Sequence, residues 1–427
     1  MGVRDLIIIG AGPSGLSAAI AAKQRGLDYQ VIEQGVLVNS IFNFPPQMVF
    51  FTTPELLEIG GLPFVSPYDK PTRPESLRYY RKVVETYDLS ISFEETVVSV
   101  EREQHEASGA GGAEGGEALF TVETRSSRLA TLRPFDASTR SASSRAGSRD
   151  DKLRVVPGTV EGREPHRHPE PRRGTMQSEH FEHVDGSTGL AVDPERVAGV
   201  EEHGVRRVRH ARNVIFAIGY YDAPNMLNVP GEDLPHVHHY YGEPHPYYRQ
   251  RVVIVGGGNS AAEWALEVFR AGGHVTMVHR HPELKKTIKY WVRPDIENRI
   301  KEGSVAARFN AHVTEIRPTS VIIRSGGSGE SVGSGGSGGS GEGEELPADA
   351  VFLLTGYHAD WDLMERAGVV LGEKRVPTYD HETFETNVPG LFLAGGAICG
   401  RDTSNVFIEN GRFHGEKIVE TIARRLR

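Results

Sequence analysis

Near the N-terminus, Gly10-Ala11-Gly12-Pro13-Ser14-Gly15 has the residue types and spacing of a phosphate cradle. In this G-x-G-x-x-G pattern the first glycine permits a tight turn out of a strand. The second lets the backbone approach a pyrophosphate, and the third lets strand and helix pack closely. The helix that follows would aim its unpaired N-terminal N–H groups at the phosphates. Glu33 falls 33 − 15 = 18 residues after Gly15. A carboxylate at that place accepts hydrogen bonds from a ribose 2′-hydroxyl, and Gln34 adjoins it.

Gly256-Gly257-Gly258-Asn259-Ser260-Ala261 repeats the pattern as G-x-G-x-x-A. Here the acid is replaced by His279-Arg280-His281. An arginine at this position can take an adenosine 2′-phosphate through paired, charge-assisted hydrogen bonds, which favours NADPH over NADH. The alternative for Arg280 is a solvated surface charge. Gly10, Gly12, Pro13, Ser14, Gly15, Glu33 and Gln34 are thus the candidate contacts for one dinucleotide. Gly256, Gly258, Asn259, Ser260, His279 and Arg280 are those for the other.

Both clusters need strands and helices to hold them. Asp5-Leu6-Ile7-Ile8-Ile9 is a short apolar run of the kind buried on both faces of a parallel sheet. A helix over Leu16 to Arg25 and a strand over Tyr29 to Glu33 complete one βαβ unit. Val252 to Val255, a helix from Ala261 to Arg270, and His274 to Val278 make a second. Two such units far apart in the chain predict an α/β protein with two Rossmann-like domains, the second inserted in the first. Residues 1–247 and 373–427 are assigned to the first domain and 248–372 to the second. Val214 to Gly219 and Val351 to Gly356 are apolar strands ending at glycine, placed where the chain would cross between domains. A late strand from Pro389 ends at Gly395-Gly396, and a helix over Asn405 to Arg425 follows it.

Residues 105–118, 125–200 and 325–345 are rich in Gly, Ser, Glu, Pro and Arg and cannot bury enough apolar surface to offset their ordering entropy. They read as expanded surface hairpin loops, with Leu119 to Glu123 as a lone strand between the first two. The third would join Val321-Ile322-Ile323 to Val351. The basic, histidine-bearing stretch Arg163 to Arg173 reads as a solvated tether, with partner binding as the alternative.

The balance of 48 Lys plus Arg against 57 Asp plus Glu, a net charge of −9, gives no general attraction to nucleic acid or anionic membrane. No run is long and apolar enough to span a bilayer, and no leader pattern opens the chain. The single cysteine, Cys399, excludes a disulfide framework and any dithiol within one chain. A cytoplasmic protein without a metal site is the expectation.

Several longer motifs resemble the thioredoxin-reductase-like flavoproteins and, more closely, the YpdA-like family of bacillithiol disulfide reductases. They are Phe44 to Gly60 (FPPQMVFFTTPELLEIG), Gly219 to Asn225 (GYYDAPN), Glu243 to Tyr248 (EPHPYY) and Phe407 to Gly415 (FIENGRFHG). The resemblance covers nearly all of the chain outside the low-complexity segments. It implies FAD in the first cradle and NADPH in the second, with a low-molecular-weight disulfide as substrate and a homodimer as the assembly. It also implies that Gly219 and Gly395 approach the flavin.

Two departures from the family pattern bear on the chemistry. Ser14 stands where the disulfide reductases carry cysteine, and a hydroxyl cannot form a mixed disulfide. The late strand ends in Gly395-Gly396, without the aspartate that thioredoxin reductases place there. Cys399, three residues on, is the candidate substitute thiol, with an inert buried cysteine as the alternative. Ser14 and Cys399 are therefore the candidate catalytic residues. The interval His238-His239-Tyr240-Tyr241-Gly242 holds no C-x-x-C, so a dithiol relay is excluded. Competing readings are a flavin monooxygenase, for which Gly242 and His245 are a partial match, and an electron-transfer flavoprotein serving a protein partner.

Overall fold

The structure, a computed structural model, describes residues 2–105, 117–126, 205–326, 343–403 and 405–427. The stretch Arg163 to Arg173 lies outside them. Leu6, Ile7 and Ile8 are fully buried, as a strand with no polar face requires. Their strand, Arg4–Ile9, lies inside a seven-stranded sheet. It runs parallel to Tyr29–Ile32 on one side and to the end of Val205–Phe216 on the other. Beyond Tyr29–Ile32 the sheet continues with Ile91–Ser92. Val205–Phe216 is long enough to serve two neighbours on its other edge. Its first half pairs antiparallel with Glu117–Ser126, and its last residues pair parallel with Leu391–Leu393.

Glu117–Ser126 also pairs with Glu95–His105 and buries Phe120 and Val122. The expectation of a lone strand at Leu119 to Glu123 is corrected: this is an inner strand of the main sheet. One of its two partners, Val205–Phe216, lies beyond the long 125–200 segment, so no local pattern could announce that pairing.

The second sheet has five parallel strands, in the order Ala306–Phe309, His274–His279, Arg251–Val255, Ala350–Leu353, Val237–His238. Beside it, Ala311–Arg317, Ser320–Ser325 and Glu344–Pro347 form an antiparallel sheet. The Gly/Ser segment thus returns through Glu344–Pro347 as a hairpin before Val351, a strand too short and polar to read from pattern.

The helix after each glycine turn starts earlier than its apolar spacing suggests. Pro13–Gln24 opens at proline, whose fixed φ suits a first helical turn, and Asn259–Arg270 opens directly after Gly258. The helix expected over Asn405 to Arg425 is two helices, Ile408–Gly411 and His414–Arg425. The second packs on Pro13–Gln24 so closely that a Cβ at Gly415 would overlap the Ala18 backbone.

One large core surrounds the first sheet and includes Ala359, Trp361 and Met364. Two smaller clusters, around Trp264 and around Val253, cover the faces of the second. Among the described residues no helix is long and apolar enough to cross a membrane.

Candidate active site: two cradles and their junction

At the carboxyl ends of the first sheet's parallel strands stand, in spatial order, Glu33, Gly10, Ala217 and Ala394. They rim a cavity of about 550 Å³, within the usual range for cofactor sites. Gly10 has φ +105°, and a Cβ there would collide with the Ala217 carbonyl. A Cβ on Gly15 would overlap the Gly10 carbonyl, so this glycine serves the close approach of helix to strand. At Gly12, by contrast, an added Cβ meets nothing within 4 Å. The open side of the turn is the side a pyrophosphate would approach, with the N-terminus of Pro13–Gln24 behind it.

Glu33 is buried, and its oxygens accept the N–H groups of Ala11 at 2.7 Å and Gly35 at 2.9 Å. Burial raises its pKa, against the lowering effect of those bonds. The glutamate therefore braces the glycine turn as well as lining the cavity. Gln34 donates to Asp222 at 2.9 Å. Asp222, whose carboxyl is raised by confinement against the cavity wall, was not singled out from the sequence. Glu95, also on the rim, is buried and held by Arg207, Arg209 and Thr124, an ion cluster that ties three strands together.

The opposite end of the cavity is built from glycines. Ser14 donates to the Gly411 carbonyl at 3.0 Å, and a Cβ at Gly395 would run into the Ser14 side chain. The Gly395 N–H donates to His414 Nδ1 at 3.2 Å. Burial holds His414 near pKa 4, so it stays a neutral acceptor. Gly219 lines the same cavity. Cys399 is buried and does not line the cavity, and burial pushes its thiol up to about 11. A thiol of that pKa holds almost no thiolate at neutral pH. Gly242 and His245 also lie outside the lining.

In the second sheet Gly256, with φ +149°, turns the chain beneath the Leu354 carbonyl, which a Cβ there would strike. A Cβ at Gly257 would overlap the His279 ring, so the middle glycine, passed over by the G-x-G reading, is also required. Gly258 faces open space, with Lys285 Cδ at 3.8 Å. His279 is buried with its Nε2 unpartnered, and burial, with His281, Arg280 and Lys285 nearby, lowers its pKa to about 4. Arg280 is exposed at the strand end. The Lys285 N–H donates to Gly257 O at 2.9 Å, which places a second cation beside the turn. Asn259 accepts from the Lys289 N–H at 2.8 Å and donates to Thr287 O, so it anchors this overlying segment. Ser260 follows in the helix's first turn.

The two cradles meet through segments that follow strands on the far side of each glycine-turn strand from the acidic or basic residue. Tyr357–His358, just past Ala350–Leu353, pairs with Ala223–Pro224, just past Val205–Phe216. Asn225 donates its N–H to Gly356 O at 2.9 Å and accepts from Thr355 Oγ1 at 2.6 Å. Tyr357 packs against Tyr221 and Tyr240, and His358 lines the first cavity.

Residues 7–108 and 200–395 match the family model described as pyridine nucleotide-disulphide oxidoreductase. The chain belongs to this family. Over 98% of its length it is 33% identical to the bacilliredoxin reductase Bdr of Bacillus subtilis, covering 97% of that protein. Among solved structures, the bacillithiol disulfide reductases Bdr (YpdA) of Bacillus cereus and Staphylococcus aureus superpose with TM-scores of 0.73 and 0.72 at 31% and 30% identity. These matches cover 99–100% of this chain and all of each neighbour. The protein is an oxidoreductase of the two-dinucleotide, thioredoxin-reductase-like architecture that its motifs resemble, and a flavin and a nicotinamide are the cofactors of its family.

Proposed function

We propose that this protein passes electrons from NADPH through bound FAD to a low-molecular-weight thiol disulfide, with bacillithiol disulfide as the first substrate to test. The observation that carries the reading is the junction. A dinucleotide laid across the first sheet with its pyrophosphate at Gly12 has its adenosine end at Glu33 and its redox end at Gly395. The same rule puts the adenosine 2′-phosphate of the second dinucleotide at Arg280 and Lys285, and its nicotinamide toward Gly356 and Tyr357. The redox ends of both therefore fall where Tyr357–His358 joins Ala223–Pro224. We assign the first domain to FAD and the second to NADPH. The packing of Ala359 to Val369 in the first core supports a return crossing near Gly356, ahead of the 372/373 boundary that chain pattern suggests.

FAD supplies the two-electron chemistry when bound; the protein positions and shields it. Ser14 holds the Gly411 carbonyl, His414 holds the Gly395 amide, and Glu33 stiffens the first glycine turn through Ala11. Ser14 has no thiol, and Cys399 is buried, protonated and outside the cavity. Electrons are therefore proposed to reach the disulfide from the flavin without a protein thiol. The balance is one hydride from NADPH and one proton from solvent for two thiols released. A cytoplasmic homodimer is the proposed setting.

The test is anaerobic reduction of the FAD-loaded protein by NADPH, followed by rapid mixing with candidate oxidants. Reoxidation by bacillithiol disulfide at a rate matching turnover supports the reading. An oxygenated flavin formed with dioxygen instead points to a monooxygenase, and reoxidation by a protein acceptor alone points to an electron carrier. Either result overturns it.

A further inference from the structure

Tyr220 follows Gly219 at the end of Val205–Phe216 and lines the first cavity at its glycine-built end. Its ring lies on Gly396: a Cβ on that glycine would stand 2.5 Å from Tyr220 Cδ1 and 3.0 Å from Cε1. The ring thus occupies the space a side chain at position 396 would need. The surrounding polar groups are already engaged within the protein. Ser14 bonds Gly411, Glu33 bonds two backbone amides, Asp222 bonds Gln34, and His358 Nδ1 lies 2.7 Å from the Ala359 carbonyl. The neighbouring Tyr221 hydroxyl is paired with Tyr357. The Tyr220 hydroxyl has no hydrogen-bond partner among the described residues. It faces a cavity rather than packed protein, so a ligand entering there meets a free donor and takes the place of water on it.

We propose that Tyr220 is a cofactor-binding residue whose hydroxyl hydrogen-bonds the redox half of FAD, with Gly396 kept bare to seat its ring. The inference rests on the FAD reading above. Burial, with Cys399 and Glu409 adding to it, pushes the phenol up to about 12, so the group keeps its proton at neutral pH and is available as a donor. Because the ring, and not the hydroxyl, fills the space over Gly396, packing and ligand recognition can be separated by substitution.

Tyr220→Phe keeps the ring and deletes the donor. The expected result is an apoprotein with the wild-type unfolding midpoint, a 5- to 10-fold weaker FAD affinity, roughly the worth of one hydrogen bond, and an altered absorption spectrum of the bound flavin. Gly396→Ala is expected to weaken FAD at least as much by displacing the ring. Unchanged FAD affinity and spectrum in Tyr220→Phe, with wild type binding FAD normally, overturns this inference alone. A destabilised Tyr220→Phe apoprotein with an unchanged flavin spectrum assigns the hydroxyl to folding and also overturns it. Failure of the wild-type apoprotein to take up FAD overturns the flavin reading itself.

Discussion

The Ser14 hydroxyl sits at a point where two backbones converge on its side chain, so its first duty is a hydrogen bond to Gly411. Ser14→Ala is expected to cost about 1 kcal/mol in chemical denaturation, the worth of one such bond. Cys399→Ser is expected to leave disulfide turnover within about twofold of wild type, since a thiol raised to about 11 by burial is a poor nucleophile. A tenfold fall in steady-state NADPH oxidation would restore Cys399 as a redox group. In the second cradle, Arg280→Ala and Lys285→Ala are each expected to weaken NADPH by about 10- to 100-fold while NADH changes little, because charge-assisted bonds to a phosphate contribute about 1.5–3 kcal/mol. Equal losses for both nucleotides, measured by the concentration dependence of flavin reduction, would show that neither cation reads the 2′-phosphate. The position of Arg280 at the end of its strand was legible from the motif. Lys285 was not, because only the fold of the segment after His281 returns it to Gly257.

Among the secondary-structure elements, Pro13–Gln24 and His414–Arg425 pack with little tolerance for added volume. Gly415→Ala places a methyl on the Ala18 backbone and is expected to cost about 1–3 kcal/mol and lower flavin content, both measurable on the purified protein. The start of the second helix also carries a pH response. His414 is held near pKa 4, below its ordinary 6.5. Between those values the unfolded chain binds a proton that the folded chain does not, so the stability due to this group is complete above pH 6.5 and is lost as pH falls toward 4. His279 acts in the same direction. Replacing His414 with Gln is expected to flatten the decline in unfolding free energy between pH 6.5 and 4; an unchanged slope would show that His414 is solvated.

At the scale of the whole molecule, the two nucleotide units are coupled through Tyr357, whose hydroxyl donates to His239 O at 3.1 Å and whose ring packs on Tyr221 and Tyr240. Tyr357→Phe is expected to cost about 1 kcal/mol and Tyr357→Ala about 3–5 kcal/mol. Flavin reduction by NADPH should slow at least tenfold in the alanine variant, because hydride transfer tolerates little displacement of donor and acceptor. Unchanged single-turnover reduction would separate the junction from electron transfer. The sequence by itself determined both cradles: a glycine turn, its strand and helix, and the acid or arginine at the next strand end are set by local backbone geometry within some 30 residues. It also carried the long motifs that resemble the disulfide reductases. Only the tertiary structure decided what those residues touch. Glu117–Ser126 became an inner strand, Ser14 and His414 became clamps on the late glycines, Cys399 was buried away from the cavity, and Tyr220 was set on Gly396. Each of these depends on contacts between segments far apart in the chain, which no local periodicity records.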